Sequence, residues 1–343
     1  MDFTPTEEQS AAQELAARIF GDLSTHERLA AAGTGTDAEL WKALCAAGLV
    51  GAVEDIGVLG LVLLLEEQGR TTAQVPFAAT CVYGLLAVAA HGTDEQRARL
   101  LPALRGGTAV ATGAFPANGV GVRATAPGRL SGALPFVPWL RDATHVLVPD
   151  ADLTLWLVRT ADTQVSEVET TAPWAAGRLV LSGTPGERLG GPGAYESVLA
   201  LGRTAFAGLQ AGVCAGSLAR AVQYTSTREQ FGRPLSTNQG VLLRAADAYM
   251  DTEAIRVTAY EAAWRQDEGL DAAAEVLTAA WWASEAGKRV VHAGQHLHGG
   301  TGADLDHPVH RHFLWGRQLD AYLGCGAELL AELGRLLAKE EPV

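Results

Sequence analysis

The segment TSTREQFGRPLSTNQG, residues 225–240, lies between two Ala-rich stretches that have helical periodicity. It carries Arg228, Gln230, Phe231 and Gly232 close together, whereas a plain connection needs only the glycines and the proline that interrupt a helix. The planar guanidinium of an arginine can bind a phosphate group, and an aromatic ring and an exposed backbone beside it can contact a flat heterocycle attached to that phosphate. The segment therefore predicts a ligand contact at the junction of two helices.

The composition is that of a large acidic protein. Its 343 residues include 39 Asp and Glu against 26 Lys and Arg, which gives a net charge of −13. A chain of this length is expected to form two or three domains. Its negative field repels phosphate backbones, so nucleic acid is excluded as an expected partner. Any anionic ligand must be held by a local cluster of arginines.

The sequence carries no pattern typical of secretion or of membrane insertion. The start, MDFTPTEEQS, lacks a basic segment followed by an apolar one, and the longest apolar run, VLGLVLLL at 58–65, is too short to cross a bilayer. The four cysteines are scattered without a C-x-x-C pair and are expected to be reduced. We therefore expect a cytoplasmic protein that has no membrane partner.

Three successive regions of the chain differ in the pattern of their apolar residues. Residues 1–110 have helical periodicity, residues 111–195 contain short apolar runs divided by Gly, Pro and Asp, and residues 196–343 are again helical. The middle part is typical of a small antiparallel β-barrel or sandwich, and the last part contains helices long enough for a bundle. The predicted fold is mainly α, with an N-terminal helical domain, a β middle domain and a C-terminal helical domain.

Capping residues indicate where several helices begin. Thr4 or Thr6 precedes the first helical stretch, and Asp37 and Thr93 stand before two further ones. Asp271 is expected to cap the helix that begins with DAAAEVL. These positions predict helix starts near residues 7, 38, 94 and 272.

A second segment with potential chemistry is HLHGGTGADLDHPVHR, residues 296–311. Gly299, Gly300 and Gly302 expose backbone N–H groups just past a predicted helix, which suits the close approach of a ligand. The same residues suit a helix C-cap and turn equally well. Taken alone, this segment does not decide between the two interpretations.

Neither a metal site nor a nucleotide fingerprint is convincing. His292 and His296 have a metal-compatible spacing, but no carboxylate stands between them as a hydrolytic zinc site would require, so hydrogen-bonded or solvated histidines are favoured. The stretches GTGTDA from Gly33 and GVGVRA from Gly119 lack the third glycine of a dinucleotide fingerprint and are interpreted as loops. The histidines of this region are His292, His296, His298, His307, His310 and His312.

The two glycine-containing segments occur in order, with two predicted helices between them, and together they resemble the acyl-CoA dehydrogenase family. The resemblance rests on REQFGRPLSTNQ, on Asp247 in AADAYM, and on HGGTG followed by HPVHR, and it extends to landmarks along nearly the whole chain. It implies a C-terminal four-helix bundle after the β domain, usually within a tetramer. The implied chemistry is the α,β-dehydrogenation of an acyl-CoA by FAD.

The resemblance also implies roles for the residues of both segments. In the family, the arginine and the aromatic residue of the first segment reach across a subunit interface to an FAD that is bound mainly by a neighbour. Arg228 would then pair with the FAD pyrophosphate, and Phe231 would cover the nucleotide. The family's glutamine before the paired glycines is His296 here, with Gln295 one position earlier. The predicted cofactor contacts are Arg228, Gln230, Phe231, Gln295, His296, Gly299 and Gly300.

The catalytic carboxylate of the family is missing from both of its known positions. The reaction needs a base that removes the α-proton while a hydride leaves the β-carbon. One position corresponds to Leu323, and the other, directly before Arg203, corresponds to Gly202. Neither residue accepts a proton, so no catalytic residue is predicted; Asp320 and Asp306 remain candidates for a displaced base.

The middle domain has also lost residues that hold the flavin in the family. The stretch that lines the flavin corresponds to GAFPANGVG, residues 113–121, and retains only Pro116. The threonine that hydrogen-bonds the flavin ring corresponds to Pro138, which has neither a hydroxyl nor an N–H. An Arg-Asp pair of the family corresponds to Leu314 and Trp315.

This pattern is similar to one subunit of the α2β2 acyl-CoA dehydrogenases that degrade steroid side chains, in which one chain supplies the base and the flavin cradle and the other completes the nucleotide site. The resemblance implies three partners: a paralogous subunit with the catalytic glutamate, an acyl-CoA substrate and an electron-transfer flavoprotein. Two alternatives stay open. One is a self-sufficient homo-oligomeric flavoenzyme, such as a biosynthetic tailoring enzyme, with a relocated base; the other is a non-catalytic scaffold subunit.

Overall fold

The computed structural model describes residues 2–116 and 121–340, in which helices precede and follow a β region. This order confirms the predicted fold class. The helices are α1 Glu7–Leu23, α2 His26–Ala32, α3 Ala38–Ala46, α4 Leu49–Thr71, α5 Phe77–His91 (with a π-helical segment at Thr80–Leu86), α6 Asp94–Arg105, α7 Ala194–Thr227, α8 Gln239–Asp267, α9 Ala273–Leu297, α10 Val309–Tyr322 and α11 Gly326–Glu340.

Side-chain caps fix the starts of several helices as the sequence predicted. Thr6, rather than Thr4, caps α1, and Thr93 caps α6; both form capping boxes with the glutamine three residues later. The Asp37 side chain accepts from Leu40 N at the start of α3. Asp271 lies one residue before the N-cap position of α9, and its carboxylate accepts from Ala273 N at 3.1 Å. Each cap satisfies a backbone N–H that has no partner within its helix.

Helix α4 is interrupted, and a side chain from another helix caps its second part. Gly57 has φ 73° and ψ −170°, so the backbone leaves the helical conformation and begins a new helical turn at Val58. The Asp267 carboxylate, at the end of α8, accepts hydrogen bonds from Val58 N at 2.7 Å and Leu59 N at 2.9 Å. Asp267 therefore acts as an N-cap supplied from a distant part of the chain.

The β region forms two four-stranded sheets. One has the strand order β1-β4-β5-β8 and the other β2-β3-β7-β6; all pairs are antiparallel except β1 with β4, which is parallel. The strands are β1 Ala111–Gly113, β2 Arg123–Ala126, β3 Arg129–Val137, β4 His145–Pro149, β5 Leu155–Arg159, β6 Gln164–Glu167, β7 Gly177–Pro185 and β8 Glu187–Leu189.

Alternate residues of these strands build a common core between the two sheets, which makes the β region a sandwich. Leu134 and Leu179 contribute from the second sheet, and Val146, Val148 and Val158 contribute from the first. The parallel pairing of β1 with β4 was not predicted, because the register of a three-residue strand leaves little trace in a sequence.

The chain divides into two compact units, each built from separate stretches. One unit comprises Met1–His26, Val58–Ala73 and Arg203–Val343, and the other comprises Glu27–Gly57 and Gln74–Gly202. The division into domains at 1–110, 111–195 and 196–343 stays a prediction, because the two compact units have different boundaries and do not test it.

Within the first unit, α4 and α7 approach each other closely. A β-carbon added at Gly69 would overlap the backbone of Leu209, and one added at Gly212 would overlap the backbone of Glu66. Only glycine allows this distance, so these two helices are held in a fixed register. Glu66 itself is buried, and its Oε2 accepts from Arg256 Nε at 3.1 Å.

Among the described residues, one helix, α7, is long and apolar enough to cross a membrane; a second would count only if α3 and α4, bent by 72°, were taken as one span. In α7, 72% of the apolar window is buried inside the protein. A mostly buried apolar helix is typical of a protein core, and we interpret α7 in that way.

We predict that Asp267→Ala destabilises the start of the second part of α4, because Val58 N and Leu59 N lose their acceptors. The expected loss is about 1–2 kcal/mol, the usual cost of removing a helix cap. Hydrogen exchange at Val58 and Leu59 and denaturant unfolding measure it. Glu268→Ala, a neighbouring exposed carboxylate, is the control and should stay within about 0.5 kcal/mol; equal effects of the two variants would contradict the cap.

Candidate functional site

The segment after α7 forms a short hairpin rather than an irregular connection. Strands β9 Glu229–Gln230 and β10 Arg233–Pro234 pair antiparallel, and Leu235 N donates to Arg228 O at 2.9 Å. The two residues between the strands, Phe231 and Gly232, have φ of 54° and 75°. Positive φ at both central residues is typical of the turn that matches the twist of a two-residue hairpin.

Phe231 is unusual in this position. A phenylalanine in the left-handed region is strained, since this conformation costs about 1–2 kcal/mol for residues other than glycine. Its side chain is nevertheless 98% exposed, and no packing within the described residues offsets the strain. Strain of this kind is found where function requires a side chain to point in a fixed direction.

A cleft of about 420 Å³ lies beside the hairpin, between the end of α7 and the segment that follows α9. The structure brings five of the seven predicted cofactor contacts together there: Arg228, Gln230, His296, Gly299 and Gly300. Phe231 at the hairpin tip and the half-buried Gln295 are outside its lining. The lining residues that were not predicted are Tyr224, Leu235, Leu297, His298 and Thr301.

The glycines after α9 keep one wall of the cleft open. Gly299 has φ 61°, and no atom of the described residues lies within 4 Å of the position that a β-carbon would take at Gly299 or Gly300. Gly302 differs, because a β-carbon there would overlap the backbone of Gln295. The first two glycines thus leave space for a ligand, whereas the third permits a close turn.

His298 forms a buried aromatic pair inside this cleft. Its ring stacks on Tyr224 with centroids 4.8 Å apart, and its Nδ1 lies 2.7 Å from Gly294 O. Burial lowers the pKa of His298, so the ring is neutral; Nδ1–H then donates to this carbonyl, and Nε2 is an acceptor. Nε2 is buried without a hydrogen-bond partner in the part of the chain that the structure describes.

The other histidines of the region act in hydrogen bonds rather than as a cluster. His310 Nδ1 lies 2.6 Å from His307 O, and the buried His312 donates from Nε2 to Arg70 O at 2.9 Å. Burial lowers the pKa of His312 to about 3, so this ring is neutral. Among the described residues, no group of three or more His, Cys, Asp or Glu side chains is placed to hold a metal ion.

One of the two positions at which the sequence resemblance predicted a base, Leu323, lies in the core. Leu323 caps the C-terminus of α10 and is 6% exposed. The void beside it measures only about 20 Å³, which holds a single water at most. Gly202, the other position, is buried within α7. The residues that close the void include Phe206, Leu319, Tyr322 and Leu329.

A carboxylate that the sequence did not single out is bound next to Leu323. Both Nη atoms of Arg203 pair with the Glu332 carboxylate, at 2.9 and 2.8 Å, and Arg203 Nε lies 3.4 Å from Leu323 O. Arg203 is buried, so this fork-to-fork pair satisfies a charge that would otherwise be costly. A sequence signal was lacking, because the two residues are 129 positions apart.

The two candidates for a displaced base differ in their surroundings. Asp320 is buried, with Oδ2 3.2 Å from Arg317 Nε; burial raises its pKa, and the charges of Arg317 and Lys288 oppose that rise. Asp306 is exposed, and its backbone N–H donates to Asp304 Oδ1 at 3.0 Å. Only Asp320 has an environment of the kind that tunes a carboxylate for proton transfer.

The positions predicted to have lost flavin contacts are only partly described. Residues 117–120 lie outside the described residues, and they include the centre of the GAFPANGVG stretch and Gly119. The carbonyl of Pro138 accepts from the Thr112 hydroxyl, and Trp139 beside it is buried with φ 58°. Trp315 is fully buried. These residues are part of the protein core.

Comparisons with known proteins agree with the geometry. Residues 6–108 match the acyl-CoA dehydrogenase N-terminal domain, and residues 190–336 match its C-terminal domain. Acyl-CoA dehydrogenase FadE27 of Mycobacterium tuberculosis is 35% identical over 99% of both chains. Among solved structures, a chain of the Tcur3481-Tcur3483 steroid ACAD is 40% identical, covering 97% of this chain and 98% of that one, with a TM-score of 0.91.

A chain of the ChsE4-ChsE5 complex from Mycobacterium tuberculosis is 33% identical over the full length of both chains, with a TM-score of 0.93. The relatives thus cover both helical segments and the β region between them. They confirm the predicted family and fold class, and they support FAD as the cofactor. The chain belongs to the acyl-CoA dehydrogenase family.

Proposed function

We propose that this chain is the subunit without a catalytic base in a heteromeric, FAD-dependent acyl-CoA dehydrogenase, and that it completes the FAD site of a paralogous partner. The observation that carries the proposal is the packing at Leu323, which is 6% exposed and has a void of only about 20 Å³ beside it. A fatty acyl or polycyclic acyl group is far larger than the single water that such a void can hold. The chemistry must then use a base from another chain.

The cleft beside the hairpin supports the second half of the proposal. Arg228 lines it and forms no ion pair within the described residues, although most arginines of this acidic chain face a carboxylate. The cleft therefore suits the diphosphate of FAD, with a charged hydrogen bond to Arg228 worth about 1.5–3 kcal/mol. Gln230, His296 and the backbone at Gly299 would line the nucleotide.

Exposed apolar side chains on this chain support the binding of a protein partner. Helix α8 presents large apolar residues that are 48–61% exposed, spaced along its length: Leu242, Leu243, Tyr249, Met250 and Val257. Phe231 is more exposed still. An extended apolar surface of this kind is typical of a subunit interface. The similar structures, Tcur3481-Tcur3483 and the ChsE4-ChsE5 complex, each pair two proteins, which supports a paralogous chain as the partner.

In the proposed enzyme, the residues of this chain bind and position but do not transfer protons. FAD supplies the hydride acceptor for the dehydrogenation. Arg228 would neutralise a phosphate charge, the hairpin would hold Phe231 against the nucleotide, and a glutamate of the paralogous partner would remove the α-proton of the CoA thioester. A bulky polycyclic acid as the acyl group, an electron-transfer flavoprotein as the electron acceptor and a cytoplasmic location belong to the same proposal.

We predict that the chain purified alone contains little flavin and that co-expression with its paralogous partner gives about one FAD per heterodimer. The reason is that Pro138 lacks the donor groups of a flavin contact. The measurement is the ratio of flavin absorbance to protein in each preparation. A stoichiometrically yellow homo-oligomer would contradict the proposal and favour the self-sufficient flavoenzyme.

We predict that Arg228→Ala weakens FAD binding by the complex about tenfold to a hundredfold, as expected for one lost charge-assisted hydrogen bond. Titration of the apo-complex with FAD measures the dissociation constant. The control is Arg18→Ala, an exposed arginine of α1, which should leave FAD affinity unchanged. If Arg228→Ala also leaves FAD affinity unchanged, the hairpin segment is only a helix connection.

We predict that Asp320→Asn leaves turnover of the complex within a few-fold of normal, because the base belongs to the partner. Burial raises the pKa of Asp320, so its ionised form opposes folding above its unfolded pKa, and stability falls as pH rises through the interval up to the folded pKa. Asp320→Asn should therefore not lower stability at pH 7. Loss of turnover in a stably folded Asp320→Asn variant would identify this aspartate as a relocated base.

A further inference from the structure

Residues 298–312, which follow α9 and lead into α10, contain four histidines, and three of these are held in their neutral form. His298 stacks on Tyr224, and its Nδ1–H donates to Gly294 O at 2.7 Å. Its Nε2 is buried and has no partner among the described residues. A proton on Nε2 would create a charged donor without an acceptor and almost without contact with water. His298 therefore resists protonation while this packing is kept.

His307 is held neutral by a different contact, at the start of α10. Its Nδ1 accepts a hydrogen bond from Val309 N at 3.3 Å, so this nitrogen carries no proton and Nε2 carries the only proton on the ring nitrogens. A second proton would remove the acceptor and would place a positive charge at the N-terminus of a helix, where the helix dipole opposes it. The neutral ring thus satisfies a backbone N–H of α10 that the charged ring cannot.

His312 lies within α10, is 1% exposed and binds the end of α4. Its Nε2–H donates to Arg70 O at 2.9 Å, while the side chain of Arg70 pairs with Glu67. Burial lowers the pKa of His312 to about 3, and burial also lowers the pKa of His298 and of His307. In an open chain each ring would protonate near pH 6.5. The folded segment then binds fewer protons than the open one below about pH 6.5, so its stability is complete above this pH and decreases as the pH falls.

The charged groups that face the segment are mostly positive. Arg220 of α7 and Arg311 of α10 disfavour protonation of its histidines, and so does His26 at the start of α2. Asp304, within the segment, acts in the opposite direction. One carboxylate cannot neutralise several protonated rings that already face basic groups, so the cost of protonation grows with each proton that is added.

We propose that residues 298–312 form an acid-release segment: neutral histidines hold the turn after α9 and the start of α10 at neutral pH, and their protonation in mildly acidic solution releases both. The released part includes one wall of the cleft, since His298, Gly299, Gly300 and Thr301 line it. Acid would therefore open the cleft from the side of α9. This inference does not depend on what the cleft binds, because the contacts that hold the segment lie within this chain.

The test is hydrogen exchange of the full chain at pH 7 and pH 5, read by mass spectrometry and corrected for the effect of pH on the intrinsic exchange rate. We expect the opening equilibrium constant of residues 298–312 to rise about twentyfold or more, since one histidine that is neutral when folded and ordinary when open contributes a factor of about 25 over this interval. Helix α1, Glu7–Leu23, contains no histidine and is the internal reference. Unchanged protection of residues 298–312 would overturn the proposal, as would an equal loss in α1, which would indicate general acid unfolding.

Two isosteric variants test the histidines themselves. His312→Gln places an amide N–H at the position of Nε2–H, and His307→Asn places an amide oxygen at the position of Nδ1, so both keep their hydrogen bonds without titrating. His312→Gln should remove a factor of about 20 from the pH-dependent rise, and His307→Asn should lower the rise several-fold without changing exchange at pH 7. The control is His145→Gln, in the other compact unit, which should leave the rise as it is.

An undiminished rise in either variant that folds would overturn the acid-release segment. If the buried substitution His312→Gln does not fold, His307→Asn still decides the question, because it changes a half-buried residue outside the helices.

Discussion

The buried guanidinium of Arg203 sets the main constraint on the helical unit. A guanidinium with so little exposure is costly to bury unless charged or polar groups satisfy it. In this chain the charged group is the carboxylate of Glu332 of α11, and the pair stands next to Leu323, the position at which the sequence resemblance predicted a base. The pairing holds α11 against α7 and α10, and Leu329 of α11 helps to close the remaining void. Leu323, Arg203 and Glu332 are thus parts of one packing arrangement.

Helix α7 connects this closed region with the open cleft. It carries Arg203 near one end and Arg220, Tyr224 and Arg228 near the other, with Gly212 between them in close contact with α4. This close glycine contact fixes α7 against α4, and the continuous helix sets the positions of its two ends relative to each other. The end that carries Arg203 is packed in the core, whereas Tyr224 and Arg228 at the other end line an open cleft.

Local features were predictable from the sequence, and distant contacts were not. Thr6, Asp37 and Thr93 cap helices as their sequence contexts indicated, and Arg228 and His296 do share a cleft. The caps were predictable because a cap depends on residues three apart, and the shared cleft was suggested by the family resemblance, whereas the role of these residues in cofactor binding stays a prediction. Other contacts, such as Glu332 with Arg203, Asp267 with the α4 break and His298 on Tyr224, depend on the packing of helices far apart in the chain, which no short pattern encodes.

The hairpin at 229–234 shows why this chain is suited to assembly. Two strands of two residues each cannot stabilise a hairpin in water by themselves, and Phe231 adds the strain of a positive φ together with an apolar ring left in solvent. An arrangement that is unfavourable in the isolated chain becomes favourable if the ring is buried against a ligand or a second subunit, since burial of a phenylalanine side chain contributes about 1.5–3 kcal/mol. Burial of the exposed apolar residues of α8 would likewise be favourable, so both features favour the assembled complex over the free chain.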